Sequence, residues 1–412
     1  MKNTSSSAPP PSPASPPSSA PPIVVKPVLS YWKRRKFLQF PYALYQNEPC
    51  WVPPLYMDRK KTLSPQKNPW FKHGEAAFFL AFREKKVVGR IAAINNRRYN
   101  EENNTQVGWF GFFDCEDNLE VARALLDRVE KWHAERGMQL LLGPANYSSN
   151  EDWGCIVDGF GTPPIFLSPF NLPYQPVQLR ALGFQKAKDL LMWDMDILKP
   201  PPEKIIRLAE KIRAKESITI RPINMRRLEE EAVKIRDIYN HAWEKNWGFV
   251  SMSEAEFSAL VADLKMVAIP ELALFAEING EAVGFCLTLP DMNQVFKNMK
   301  GGRLFPLGIF KLLWGRKKIN RGRLFIMGVK AEYRKRGLDA VLMLDTYLNG
   351  RKLGWVGGEV GWTLEDNDAI NRLILLFGST VIKRYRIFQK ELPHTPSSPP
   401  SPTTPAQGKK DG

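Results

Sequence analysis

The chain has 412 residues, more than one small core needs, and is 43% hydrophobic and 25% charged, an ordinary globular balance. Its formal net charge is +16 and all but three of those charges lie between residues 28 and 392, so the basicity belongs to the folded part and favours anionic partners. No apolar stretch approaches the ~20 residues that span a bilayer, the start MKNTSSSAPPPSPASPPSSAPP lacks a signal peptide's apolar run, and cysteines 50, 115, 155 and 286 lack C-x-x-C spacing, which reads as reduced thiols in a cytoplasmic protein.

The Pro/Ser-rich head, residues 1–22, and the tail PHTPSSPPSPTTPAQGKKDG, residues 393–412, cannot bury enough apolar surface to offset chain ordering and read as disordered. IVVKPVL, from residue 23, is a strand, and SYWKRRKFLQFPYALYQ a helix. A hairpin follows over 78–94, FFLAFREKKVVGRIAAI, and then a strand, VGWFGFF. The long helix LEVARALLDRVEKWHAERG has regular apolar spacing and ends on Gly137, as helices often end on glycine. MQLLLGPA reads as a strand, and LRALGFQKAKDLLMWDMDI as a helix and a last strand. Residues 203–216 form a connecting helix. Then the order returns. ITIRPIN at 218–224 is a strand, RRLEEEAVKIRDIYNHAWEK a helix, and LALFAEINGEAVGFCLTL at 272–289 a hairpin turned by Asn279-Gly280. RLFIMGV, the helix after it, WVGGEVGW and LILLFGSTVIKRYRIFQKEL complete the set.

The order β-α-β-β-β-α-β-α-β thus occurs twice. A repeat of ~170–200 residues is too long for a solenoid unit. It predicts two similar α/β domains, 23–200 and 218–392, joined by a linker helix over 201–217. One irregular α/β domain with chance echoes is the alternative.

Between RLFIMGV and its helix stands VKAEYRKRGLDAVLMLDTY, residues 329–347. A helix start exposes unpaired backbone N–H groups and the positive end of its dipole. Gly337 lets the backbone approach an anion, and Arg334, Lys335 and Arg336 add charge around it. The run Arg334-Lys335-Arg336-Gly337-Leu338-Asp339, with Ala340 following, resembles the diphosphate turn Arg/Gln-x-x-Gly-x-Gly/Ala of the GNAT superfamily of N-acetyltransferases. Roughly residues 28–393 resemble bacterial proteins with two such domains in tandem. The resemblance implies two GNAT-like domains, each a mixed, mostly antiparallel sheet flanked by helices. It also implies acetyl-CoA or another acyl-CoA as co-substrate, held by the second half. Its diphosphate would sit at Arg334, Lys335, Arg336, Gly337, Leu338, Asp339 and Ala340, and its pantetheine arm beside Gly328, Val329 and Asn367. The amides opening the helix must then face a vacant, electropositive hollow.

Two residues depart from the family pattern. Asp339 stands where a small residue is usual; its carboxylate complements the helix dipole and repels a diphosphate. Ile374 stands seven residues after Asn367, where the family often has a tyrosine that protonates the CoA thiolate. The first-half junction, DCEDNLEVARALL, has no glycine and is crowded by Asp114, Glu116 and Asp117. It predicts a degenerate copy that supports the second half or shapes the acceptor pocket.

Acyl transfer to an amine needs a base for the incoming ammonium. Glu359 in GGEVGWTLEDN lies on the strand that would flank the cleft and is the candidate base; a rim carboxylate is the structural alternative. Glu365 and Asp366 lie at that strand's end, and Asn367 is equally placed to cap the next helix. The first-half loop GPANYSSNEDWGCIVDGFGTPPIFLSPFNLPYQP has the composition of a binding loop. Its Asn146, Asn150, Asp152, Asp158 and Tyr174 either hold a polar acceptor or satisfy turn backbone. Cys155, in the same loop, reads as a packed thiol. Histidines 73, 133, 241 and 394 lack metal-ligand spacing, so no metal is assigned.

The stretch 293–323, NQVFKNMKGGRLFPLGIFKLLWGRKKINRGR, interrupts the second half and holds no acid. It reads as a clamp or lid on the first half, or as an amphipathic segment on an anionic bilayer. Nucleic acid has only the charge in its favour. The sequence therefore predicts an acyl-CoA-dependent N-acyltransferase, of the N-acetyltransferase type. Its acceptor would be a small-molecule or lipid-like amine, with peripheral membrane contact through 293–323 open. The alternative is a non-catalytic GNAT-fold binding or membrane-surface protein.

Overall fold

Thirteen strands form among the residues that the computed structural model describes, 21–215, 218–306 and 308–393. In chain order they are β1 (Ile23–Pro27), β2 (Gly74–Arg83), β3 (Lys86–Asn96), β4 (Val107–Cys115), β5 (Leu140–Gly143), β6 (Cys155–Asp158), β7 (Gln185–Asp196), β8 (Ile218–Pro222), β9 (Ala273–Ile278), β10 (Glu281–Pro290), β11 (Arg321–Val329), β12 (Gly357–Leu364) and β13 (Thr380–Glu391). Apart from residues 21, 22 and 393, the ends read as disordered lie outside the described residues. Local chemistry places the second-half hairpin: Asn279 and Gly280 take φ of 51° and 83°, the paired positive angles of a tight hairpin turn.

All the strands join one sheet, ordered β1-β2-β3-β4-β5-β13-β7-β12-β11-β10-β9-β8, with β6 pairing β13 off that path. The pairings are antiparallel except β4–β5 and β11–β12. The repeated order read from the sequence is present in both halves, with β6 as an addition to the first. The join between them carries no sequence signal. β7, the last strand of the first half, pairs with β12 of the second, while β13, the last of the second, pairs with β5 of the first. β7 and β13 also pair with each other. Each half therefore completes the other's sheet.

Alternation along the strands divides the core into two layers. Phe285 and Leu287 of β10 enter one cluster and Cys286 the other. One layer carries helix Leu119–Ala134 in the first half and helix Leu338–Lys352 in the second. The latter is buried on nearly every side, because connecting helix Glu203–Lys215 covers it with Ile205 and Ala209; an all-round apolar helix needs such double cover. The opposite layer carries helices Tyr31–Leu44, Leu228–Trp243 and Glu254–Leu264, with first-half residues Phe166 and Leu167 packed against the second. Within the insertion before β11, Met292, Val295, Phe296, Met299 and Ile319 form a small core with Val52 and Leu55 of the first half. Gly302 lies so close to Pro54 that a Cβ there would stand 2.0 Å from its carbonyl oxygen. The insertion's inner side clasps the first half.

Candidate active site

Parallel pairing of β11 with β12 runs from Arg321–Gly357 to Leu324–Val360, yet β11 continues to Val329 and β12 to Leu364. Beyond that point the strands part into a cleft, and Phe325, Met327 and Gly328 along it stay half-buried. Register places Arg323 opposite Glu359, one pair before the pairing ends, so both side chains share one face.

That face holds a buried polar cluster. Arg323 is 1% exposed and donates to Gly361 O at 2.9 Å, Phe166 O at 3.0 Å and Leu167 O at 2.6 Å. Its guanidinium lies over the Trp362 ring, 4.6 Å from the centroid. Burial pulls its pKa down to about 10. Lys383, brought by exchanged strand β13, is fully buried, with Nζ 3.5 Å from Glu359 Oε1. Burial raises the Glu359 carboxyl, against the lowering effect of Lys383. Asp291 accepts from Phe166 N at 3.0 Å, and burial raises it too. Burial likewise pushes the Tyr385 phenol up, and Ser168 stands beside its hydroxyl. Glu359 Oε2 is buried without a hydrogen-bond partner, and Tyr385 OH and Ser168 Oγ, side by side, are buried with no partner other than each other. A free carboxylate oxygen and two hydroxyls with bonding capacity to spare form a place where a polar ligand gains bonds.

The turn at 334–340 presents a different picture. Gly337 does take the left-handed φ of 82° at the helix start. The vacant hollow, however, is filled. A Cβ on Gly337 would lie 2.4 Å from Ile212 Cδ1 of the connecting helix, and the Asp339 carboxylate accepts from Ala340 N at 3.0 Å. Arg334 turns away, donating to Ala242 O at 2.6 Å and Val329 O at 3.3 Å. Arg336 lies over Tyr333, 5.1 Å from its ring centroid. Lys335 is exposed, while Leu338 and Ala340 enter the core. Trp243 covers Gly328, Val329 pairs with Gly284, and Asn367 caps helix Asp368–Leu376 by accepting from Ile370 N at 3.5 Å. Ile374 is fully buried in the core.

The first-half candidates divide. Asn146 and Asp152 meet, Nδ2 to Oδ2 at 3.0 Å, and Arg59 pairs with Asp152 at 2.6 Å. Asn150 spans the halves, donating to Val250 O at 3.2 Å and accepting from Tyr239 OH at 2.6 Å. Tyr174 is spent elsewhere, its hydroxyl on Cys115 O at 2.7 Å. Asp158 is exposed on β6. Asn146 therefore serves loop geometry, and the cluster's Arg323, Lys383, Tyr385, Ser168 and Asp291 are residues that sequence reasoning missed. One signal was available: Lys383-Arg384-Tyr385-Arg386 sets four polar residues between the apolar pairs Val381-Ile382 and Ile387-Phe388 of one strand. Among the described residues, no group of His, Cys, Asp and Glu could hold a metal ion, and no helix is long and apolar enough to cross a membrane.

No family model matches the chain. Protein YghO of Escherichia coli is 33% identical over 370 residues, covering 87% of this chain and 93% of YghO. The bacterial ceramide synthase of Caulobacter vibrioides is 34% identical over 375 residues, covering 89% of this chain and 97% of the synthase. Among solved structures, a tandem GNAT protein from the clavulanic acid biosynthesis pathway aligns with TM-score 0.55 at 12% identity, over 92% of this chain and 100% of that one. A glucosamine N-acetyltransferase region of a fungal multi-domain β-N-acetylglucosaminidase aligns at 0.56 and 14% identity, over 92% of this chain and 39% of that one. At such identities the likeness to these two is one of fold.

Proposed function

The chain has the fold of tandem GNAT proteins and belongs to one family with YghO and the bacterial ceramide synthase, and from that premise we propose that it is an acyl-CoA-dependent N-acyltransferase whose acceptor is a long-chain amino alcohol. A ceramide is the N-acyl amide of such an alcohol, so the relative's name supplies the substrate class. The observation that carries the reading is Glu359, a buried carboxylate with one oxygen unpartnered, beside the point where β11 and β12 part.

The acyl thioester occupies that cleft, and the amine arrives on the face that holds Glu359. As a carboxylate, Glu359 takes one proton from the ammonium. The freed lone pair attacks the thioester carbonyl, the C–N bond forms, and the C–S bond breaks. The nitrogen's second proton leaves as the thiolate departs, giving the amide and CoA thiol. Tyr385 and Ser168 have hydroxyl bonding capacity left for those of the acceptor. Diphosphate capture at Gly337 requires Ile212 to yield and Asp339 to release the Ala340 amide.

Purified chain given palmitoyl-CoA and sphinganine is expected to release CoA thiol and form the N-palmitoyl amide, read by thiol titration and mass spectrometry. The covered Gly337 and the apolar Ile374 favour the rival, a non-catalytic protein that keeps the fold. Absence of thiol release with sphinganine, ethanolamine and spermidine, together with no acyl-CoA binding by calorimetry, would leave the rival standing.

A further inference from the structure

Between Asp291 and Glu332 the sequence holds ten Lys or Arg and no Asp or Glu. Helix Gly308–Gly315 lies within this run, and its two ends are glycines for a reason of space. A Cβ on Gly308 would stand 2.4 Å from Arg303 O, and one on Gly315 would stand 2.9 Å from Val295 Cγ1. The inner side of the helix is thus held flat on the small core that clasps the first half, with Leu312 packed into it. The outer side is bare: Phe310, Leu313 and Trp314 are 52%, 60% and 72% exposed, and Phe305 is 63% exposed. Positions 310, 313 and 314 fall on one helix face, and the Phe310 and Trp314 rings lie 6.2 Å apart. Arg303, Lys311, Arg316, Lys317 and Lys318 of the same run are exposed, with Lys311 donating to Asn298 O and Arg316 to Met266 O, each at 2.8 Å.

We infer that this face docks the protein on an anionic lipid bilayer. Aromatic and leucine side chains enter the boundary between headgroups and acyl chains, and the surrounding cations meet acidic headgroups. The absence of any carboxylate selects this occupant. A second copy of the same patch would set like charge against like charge, whereas acidic lipid complements every cation in it. The surface leads to the polar cluster. Phe296 of the insertion packs on Phe166, 6.0 Å between ring centroids, and the Phe166 carbonyl accepts from Arg323. The inference stands on the surface itself and does not depend on the acyl-transfer reading.

Flotation of the full chain with vesicles tests it. Wild type is expected to float with phosphatidylcholine vesicles holding about one third phosphatidylglycerol, and not with pure phosphatidylcholine. Phe310→Ser/Leu313→Ser/Trp314→Ser, and separately Lys317→Glu/Lys318→Glu, are each expected to weaken flotation roughly tenfold or more. All five side chains are exposed, so both variants should melt as wild type does. Raised salt should weaken wild-type binding in the same direction. Equal flotation of wild type and both variants, or no wild-type flotation on the acidic vesicles, overturns the inference. So does a dimer that the triple serine variant dissolves while flotation is unchanged, because a second copy would then cover the face.

Discussion

The two strand-to-helix junctions, after β4 in the first half and after β11 in the second, occupy the same place in a repeated topology and are closed by different means. After β4, Asn118 accepts from Glu120 N at 3.0 Å and Val121 N at 3.1 Å, so the helix start is capped by its own neighbour. The gap beside β4 is filled as well: Ala145 N donates to Phe110 O at 2.8 Å, Phe112 N to Asn146 Oδ1 at 2.8 Å, and Tyr147 is fully buried there. After β11, the helix start is covered by Ile212 from a separate helix and by one carboxylate. The gap beside β11 holds charges and an unpartnered carboxylate oxygen. An unsatisfied buried polar group costs about 1–3 kcal/mol, a cost that a ligand bonding to this cluster would remove. The first half has turned its gap into core, and the second has kept a polar one.

Three sets of changes break or sharpen that contrast. The largest effect is expected from Glu359→Gln, which should lower kcat for acyl transfer by roughly 10²–10⁴-fold without loss of folded protein. Asp114 is the first-half counterpart in burial, already bonded to Arg90 at 2.7 Å and to Tyr45. Asp114→Asn should leave turnover per folded molecule unchanged. Glu359 acts as a base only when deprotonated, and burial raises its pKa. Wild-type rate should therefore rise with pH along a limb above the ordinary carboxylate value of ~4.3. That limb should vanish in the glutamine variant, and a flat wild-type profile would remove Glu359 from the mechanism.

Next comes the ion pair that ties β13 into the site. Lys383→Ala removes the ion-pair partner of the buried Glu359 charge and leaves Arg323 as the nearby cation, with an expected loss of about 3–5 kcal/mol in urea unfolding. The paired change Glu359→Gln/Lys383→Met should recover most of it. A loss below about 1 kcal/mol is what a solvated pair would show, and it would mean that water already fills the gap.

The smallest effects are expected at the phosphate turn, with opposite signs. Ile212→Ala uncovers Gly337 and should tighten palmitoyl-CoA binding several-fold. Gly337→Ala puts a Cβ on a left-handed residue, at ~1–2 kcal/mol, and against Ile212; binding should weaken roughly tenfold. Calorimetry that finds both variants equal to wild type places the diphosphate elsewhere.

Much of this was legible in advance. Glu359 was singled out because it lies on the strand expected to flank the cleft, and Gly337 because a glycine beside Arg334, Lys335 and Arg336 opens a helix. Lys383 and Tyr385 were missed because the strand that carries them reads only as the last strand of its own half. Their chemistry appears only once β13 is seated beside β5 and β7. The filled hollow was missed for the same reason. Ile212 reads as one more apolar position on a connecting helix, and nothing local says which surface that helix covers.

By itself the sequence determined the kind and order of the elements, because side-chain periodicity, caps and turn residues act over a few neighbours. It also set the charge of the insertion and the reach of Gly337. Only the tertiary structure decided which strands meet. Backbone ladders bond alike whatever their side chains, so the exchange of β7 and β13 rests on distant contacts. One such contact joins Asp189 and Arg386, 197 residues apart and bonded at 2.7 Å and 2.9 Å. From that exchange come the buried pair at Glu359 and Lys383 and the seam on which the site is built.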